Sequence, residues 1–506
     1  MQSKDKKLEL LHQRIASLPP EKRAAFERKL QQQKQQEVKP KLVRNAGSLE
    51  LSYAQKRLWF LSQLDPDNPT YNIAIAWKIQ GQLEPNVLKK VFLEIMRRHK
   101  TLRTTFRVSD NGEPQLKINN ITELDLPIID LQNSSLPEIE VKNISQAIAQ
   151  KPFTLSREIP IRLSLIRLSN AESIVIIVLH HIVADGWSRG ILLKEFSLLY
   201  KSINHNLPNP LDTVEIQYTD FAAWEKQWLA GKEQQIQLDY WKKQLANFSV
   251  LNLPTDFSRP SIQTFSGKTE FFQLSAELTE QLKSLSRHQA ASLFMTLLTA
   301  FKILLHRYTG QKDIAIGSPI ANRNLKEVAN IIGFFVNTLV LRSNLSDNPS
   351  FCDLLSQIKT TTNEAYQHQE LPFSKLVEEL HPERNLSQNP LFQVMIQFQN
   401  QAYAVQNAIA PEFAIPNLNL TQEWIDTGAT KFDLTFHLIE RVDGIMTAIE
   451  YRSDLFNVDT IERMFEHFKT LLQAIIKNPQ AKISDLSILT PAESQQILID
   501  WNQTDT

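Results

Sequence analysis

Two adjacent histidines, His180 and His181, end an apolar run at residues 174–179, and Asp185 and Gly186 follow at a short fixed distance. An imidazole titrates near neutrality. His181 is therefore suited to taking a proton from a reacting group, or to holding that group in place. Asp185, four residues on, can fold back as a charged brace beneath the loop. Gly186 permits backbone conformations that a side chain would forbid, and its N–H can face a substrate. A lone buried histidine is more often a satisfied core residue than a reagent. Two of them, followed by Asp-Gly at the end of an apolar strand, shift that balance toward chemistry.

The elements that must hold these residues are readable nearby. The run 174–179 is continuous rather than alternating, as a strand covered on both faces requires. Residues 161–168 read as its neighbouring strand, and a helix resumes at 192–200. Further helices are expected at 85–99, 218–245 with a break at Gly231, 278–307, 352–366 and 461–476. Another strand is expected at 313–320, and Gly333 and Asn337 fall in an apolar stretch that reads as a strand. Residues 206–210 and 254–267 read as loops, the second as a connector between lobes. Strands alternate with helices, so the fold class is α/β.

At 506 residues the chain exceeds one ordinary core, so two or three domains are expected. Residues 1–46 stand apart, with an excess of Lys and Arg and a Gln/Lys tract. They read as a basic, helical N-terminal extension (8–15 and 21–36), either a solvated appendage or a docking segment. The formal net charge is zero, so no global field calls for nucleic acid. One cysteine, Cys352, excludes an internal disulfide and a Cys-rich zinc site. No third ligand accompanies the two histidines, so no metal is expected. No secretory signal and no membrane-spanning run is visible, which makes a cytoplasmic location the default.

Beyond the His motif HHIVADG, further segments occur in order: LSYAQKRLWFL (51–61), RHKTLRTTF (98–106), YTDFAAW (218–224), IGFFVNTLVLR (332–342), HQELPF (368–373), RNLSQNPL (384–391), KFDL (431–434) and YRSDLF (451–456). Together they resemble the condensation domains of nonribosomal peptide synthetases across nearly all of residues 48–490. These domains fall within the chloramphenicol acetyltransferase-like superfamily. Lys100 departs from the family, which more often has Glu there.

The resemblance implies two chloramphenicol acetyltransferase-like lobes set as a V-shaped pseudodimer, at 47–224 and 225–484. Residues 485–506 resemble the start of a linker to an adenylation domain that would follow residue 506, so a fragment of a larger synthetase is expected. The chain itself would bind no cofactor. Its substrates would arrive on the phosphopantetheine arms of an upstream donor and a downstream acceptor peptidyl carrier protein. His181, His180, Asp185 and Gly186 would form the catalytic motif. Arg323, in IANR at the end of a predicted strand, would pair with Asp185. Trp187, Ser188, Asn337 and Asn389 are candidates for the tunnel or the substrate. No nucleophilic Ser or Cys is needed, so no covalent acyl-enzyme is expected.

Intact His180 and His181 argue against a heterocyclization domain, and the flanking segments fit condensation better than epimerization. Elongation-type condensation is favoured over a starter type that acylates the first amino acid. Two other readings stay open: an acyltransferase using coenzyme A, and a non-catalytic docking module.

Overall fold

The computed structural model describes residues 40–44, 49–382, 385–400 and 414–502. The helices expected within 1–39 lie outside the described residues, as does Arg384. Six strands come first: β1 (Asn72–Gln80), β2 (Thr104–Val108), β3 (Pro114–Ile118), β4 (Ile128–Asp130), β5 (Ile161–Ser169) and β6 (Glu172–His180). Seven follow: β7 (Gly267–Ser275), β8 (Asp313–Ile320), β9 (Asn337–Asn344), β10 (Val394–Gln399), β11 (Asn419–Glu423), β12 (Leu434–Arg441) and β13 (Gly444–Arg452).

The strand carrying the histidines is central. The first sheet runs β11-β1-β6-β5-β4, with β6 antiparallel to both neighbours. Every residue of β6 after Glu172 is buried. One face meets the helices Pro85–Arg98 and Gly186–Asn204, whose Phe92 and Phe196 pack on Trp77 of β1. The helix Pro137–Gln150 packs against β1 and β6 as well. Truncating a core isoleucine such as Ile176 would cost about 2–5 kcal/mol.

The second sheet runs β7-β13-β12-β10-β8-β9 and is mixed, with β10 parallel to β12 and to β8. Each sheet organises its own buried cluster, so the molecule has two α/β lobes. Division along the chain does not separate them. β11 pairs with β1 and completes the first sheet from within the second half of the sequence, and Ile332 and Ile415 enter the first core. A third cluster joins Tyr218, Phe221, Trp224 and Trp228 to Val328, Ile331 and Phe335.

Several boundaries differ from the sequence reading. The helix after the His loop begins at Gly186, because Asp185 caps it. The break expected at Gly231 is present, and 218–245 is two helices, Tyr218–Trp228 and Lys232–Gln244. The stretch 278–307 is also two helices, parted at Ala290 with φ +48° and restarted by the Ser292 cap. Strand β9 starts only at Asn337, so Gly333 lies in the preceding connection. The physical reason is that residues 333 and 335 give their N–H groups to side chains, not to a neighbouring strand.

Two of the motif segments build a buried charge network. Asp433 of KFDL is paired with Arg259 of the connector and with Arg452 of YRSDLF at 3.6 Å. Arg452, fully buried, also binds Asp454 at 2.6 Å. Charges this deep are tolerated only when paired and hydrogen-bonded.

Among the described residues no single helix is long and apolar enough to cross a membrane.

Candidate active site

Strand β6 delivers His180 and His181 to its end, and a single 3₁₀ turn (His181–Val183) follows. The backbone there is pinned from three directions. His181 N donates to Tyr71 O at 2.8 Å. Gln55 Nε2 donates to Ile182 O at 3.0 Å. Ile182 N donates to Nδ1 of His180 at 3.1 Å. That last bond leaves Nδ1 unprotonated, so the neutral ring carries its proton on Nε2.

His180 is 5% exposed, with its ring near Tyr71 and edge-on to Phe153. Desolvation, then Lys431 and Arg162, pushes its pKa down to about 3. The His181 ring is half-buried and lies edge-on to Phe334, 5.6 Å between centroids. Its Nδ1 is buried without a hydrogen-bond partner. Desolvation holds its pKa well below the ordinary imidazole value, aided by Lys431 and His180, while the Ala184 backbone pulls the other way. His181 is thus a neutral imidazole at physiological pH.

The sign for stability follows. The unfolded imidazole protonates near 6.5, whereas folded His180 resists until about 3. Stability is therefore full above about 6.5 and is lost as pH falls toward 3. Between pH 6.5 and pH 4.5 the native protein is expected to lose about 2–3 kcal/mol more than a His180→Phe variant, as read from denaturant midpoints.

Asp185 is the hub beneath the loop. It is 1% exposed. Oδ1 accepts from Ser188 N at 2.9 Å and from Arg323 Nη2 at 3.2 Å, and Oδ2 accepts from Phe335 N at 3.0 Å. Arg323 also donates to Val328 O (2.6 Å) and Ile331 O (2.7 Å) and lies over the Phe335 ring. Ser188 Oγ sits 2.8 Å from Asp185 Oδ1 and accepts from Gly333 N at 3.2 Å. The starts of the helices Tyr53–Leu64 and Tyr218–Trp228 close the ring. Ser52 Oγ and Tyr218 Oη are 2.8 Å apart, and Tyr218 donates to Phe334 O at 2.7 Å. The 333–335 connection is thereby fixed against the His loop.

Several candidates are fastened to protein rather than left open to a substrate. Trp187 Nε1 donates to Ala329 O at 3.0 Å. Asn337 gives Nδ2 to Gln369 O and Leu371 O and accepts from Phe373 N, which uses its whole amide. Asn389 donates to Lys431 O at 2.6 Å. The reason is general: a buried amide or indole must satisfy its polar atoms locally. Gly186 is the first residue of its helix and has no positive φ, so the position does not use the freedom of glycine. Gly333 does need to be glycine, since a Cβ there would lie 2.2 Å from the Tyr218 ring. Gly333→Ala is expected to destabilise the protein by about 1–3 kcal/mol and to depress activity, measured by thermal melts and turnover.

Sequence reasoning missed Tyr71, Phe334 and Lys431. Phe334 and Lys431 lie in the segments 332–342 and 431–434 and could have been found there, whereas Tyr71 carries no local signal; each reaches the histidines from a distant part of the chain. A cavity of about 20 Å³ is lined by Phe221, Glu225, Trp228 and Leu325 beside the third cluster, with no residue of the His motif in its wall. Among the described residues no group of three or more His, Cys, Asp or Glu could hold a metal ion.

The family model of the condensation domain matches residues 45–498. The chain belongs to the condensation-domain family. The domain is 41% identical to a linear gramicidin synthase from Brevibacillus parabrevis over 460 residues, 90% of this chain. It spans only about 9% of that relative's length. It superposes on the X-domain from teicoplanin biosynthesis with a TM-score of 0.81 and 26% identity, covering 89% of this chain and 100% of that one. A four-domain nonribosomal peptide synthetase bound to AMP and glycine has the same fold over 91% of this chain and 35% of its own (TM-score 0.80, 21% identity).

Proposed function

We propose that this condensation domain forms an amide bond between two carrier-bound substrates of a nonribosomal peptide synthetase, as an elongation-type domain. The acceptor amine attacks the carbonyl of the donor thioester. The C–N bond forms, the C–S bond breaks, and the donor phosphopantetheine leaves as a thiol that takes up the proton lost by nitrogen. His181 Nε2 receives or hydrogen-bonds the amine, while Asp185, Arg323 and Ser188 hold the loop that presents it. His180 shapes the turn, and the Gly186 N–H opens the helix beside it. Trp187, Asn337 and Asn389 serve this reading as supports for the walls around the histidine.

The observation that carries the reading is the state of His181: a half-buried, neutral imidazole, held where both halves of the chain meet, in a chain of this family. A neutral imidazole can accept a hydrogen bond from an amine, which an imidazolium cannot. Amine and thioester react favourably on their own, so correct placement supplies much of the rate.

In the same reading, residues 47–224 and 225–484 form the two lobes, with β11 returned to the first. Residues 485–506 lead to an adenylation domain. The domain holds no cofactor of its own, its partners are donor and acceptor carrier proteins, and it acts in the cytoplasm. The test offers the protein a donor acyl group either on a carrier or on coenzyme A, with an acceptor either loaded on a carrier or free as a small molecule. Product from the carrier-borne donor alone supports the reading. Equal product from acyl-coenzyme A with a free small-molecule acceptor overturns it.

A further inference from the structure

Lys431 stands apart from the other cations around the site. Its backbone carbonyl is fixed by Asn389 Nδ2 at 2.6 Å and by Gln263 Nε2 at 3.3 Å, so the start of the side chain is anchored. Its Nζ lies 5.2 Å from the centre of the Tyr71 ring, on the other lobe. Tyr71 is the residue that touches both histidines: its carbonyl holds His181 N at 2.8 Å and its ring lies 6.4 Å from that of His180. Beyond this ring contact, Lys431 Nζ has no hydrogen bond or ion pair with any described residue. The side chain is half-buried. A half-buried ammonium in no direct ion pair is costly to place, with Glu450 the anion that acts on it.

The surrounding charges offset it in part. Glu450, on β13, acts on Lys431 but is bound by Thr430 Oγ1 at 2.6 Å and faced by His437 Nε2 at 3.8 Å. Arg57, on the first helix, adds a second positive charge. On the first lobe Arg162 is paired with Glu158, and Asp185 is paired with Arg323. A positive charge that faces a base disfavours a second positive charge on that base.

We propose that Lys431 is a positioning residue of the reaction, whose fixed charge, reaching from the second lobe onto Tyr71, keeps the His181 imidazole and the incoming acceptor amine unprotonated. The part concerning the amine rests on the amide-forming reading above; the part concerning His181 does not. Lys431 is itself held down to about 8, first by desolvation, so its charge is present below that pH and fades above it. The device therefore works on the acid side, where protonation would otherwise disable both groups.

The test follows the His181 ring by NMR across pH in the full chain, with His181→Gln assigning its signal. In Lys431→Met, the midpoint of His181 is expected to rise by on the order of one pH unit, and Lys431→Arg should keep the native midpoint. The acid limb of the condensation rate should move the same way in Lys431→Met, with the gap to the native protein closing above pH 8. Lys431→Gln serves as a second neutral variant if the methionine is not accommodated. An unmoved His181 titration in a folded neutral variant overturns the inference. A moved titration in a protein that condenses nothing supports the role toward His181 and sinks the amide-forming reading instead.

Discussion

Replacement of His181 by alanine is expected to slow condensation by about 10²–10⁴-fold while the domain stays folded. The fold should survive because the ring is only half-buried and Nδ1 makes no hydrogen bond. What disappears is Nε2, the imidazole nitrogen assigned to the incoming amine. His180 cannot stand in for it, since that ring is buried and its Nδ1 already accepts from Ile182 N. His181→Gln separates the two roles open to the imidazole. Glutamine offers a hydrogen-bond acceptor of similar reach but no useful proton affinity. Substantial recovery over alanine, with a flattened acid limb, indicates placement of the amine. No recovery indicates proton transfer. Rates from single-turnover mixing across pH 5–8 decide between them. The depressed His181 pKa places the native acid limb below the ordinary imidazole value near 6.5.

The second large effect concerns the Asp185–Arg323 pair. Asp185→Ala is expected to cost about 3–5 kcal/mol of stability, because it leaves Arg323 charged and buried without its partner. It also removes the cap of the helix Gly186–Asn204 and the acceptor of Phe335 N. Activity should fall with stability, so loss of turnover alone says nothing about chemistry. The double variant Asp185→Ala/Arg323→Met is expected to recover part of the stability but little activity, since the 333–335 connection stays loose. Denaturant unfolding of the two single variants and the double variant measures the coupling between them. A coupling near zero would show that the pair does not hold the loop.

These expectations show where local pattern suffices and where it stops. The buried strand was readable because residues 174–179 are apolar without interruption and end in a polar pair. The helix boundaries near it were not, since Asp185 starts the next helix six residues earlier than the apolar spacing suggests. Strand β11 gave no warning either: its residues are largely exposed and polar, and pairing with β1, more than 300 residues earlier in sequence order, makes it a strand. Asn337 and Asn389 looked like substrate contacts because polar groups in apolar stretches invite that reading. Their amides are instead used by carbonyls that adjoin them only in three dimensions. Tyr71 and Lys431 show the same limit: Tyr71 reaches the histidines through the pairing of β1 with β6, and Lys431 through contact between the lobes.

Amide formation at His181 is read most directly by combining the native protein, a donor-loaded upstream carrier and an acceptor-loaded downstream carrier, and following the intact mass of the acceptor carrier over time. This carrier is expected to gain the mass of the donor acyl group within a single turnover, and folded His181→Ala is expected to leave it nearly unchanged over the same interval. Equal mass gain with folded His181→Ala and with the native protein would contradict the role assigned to that imidazole.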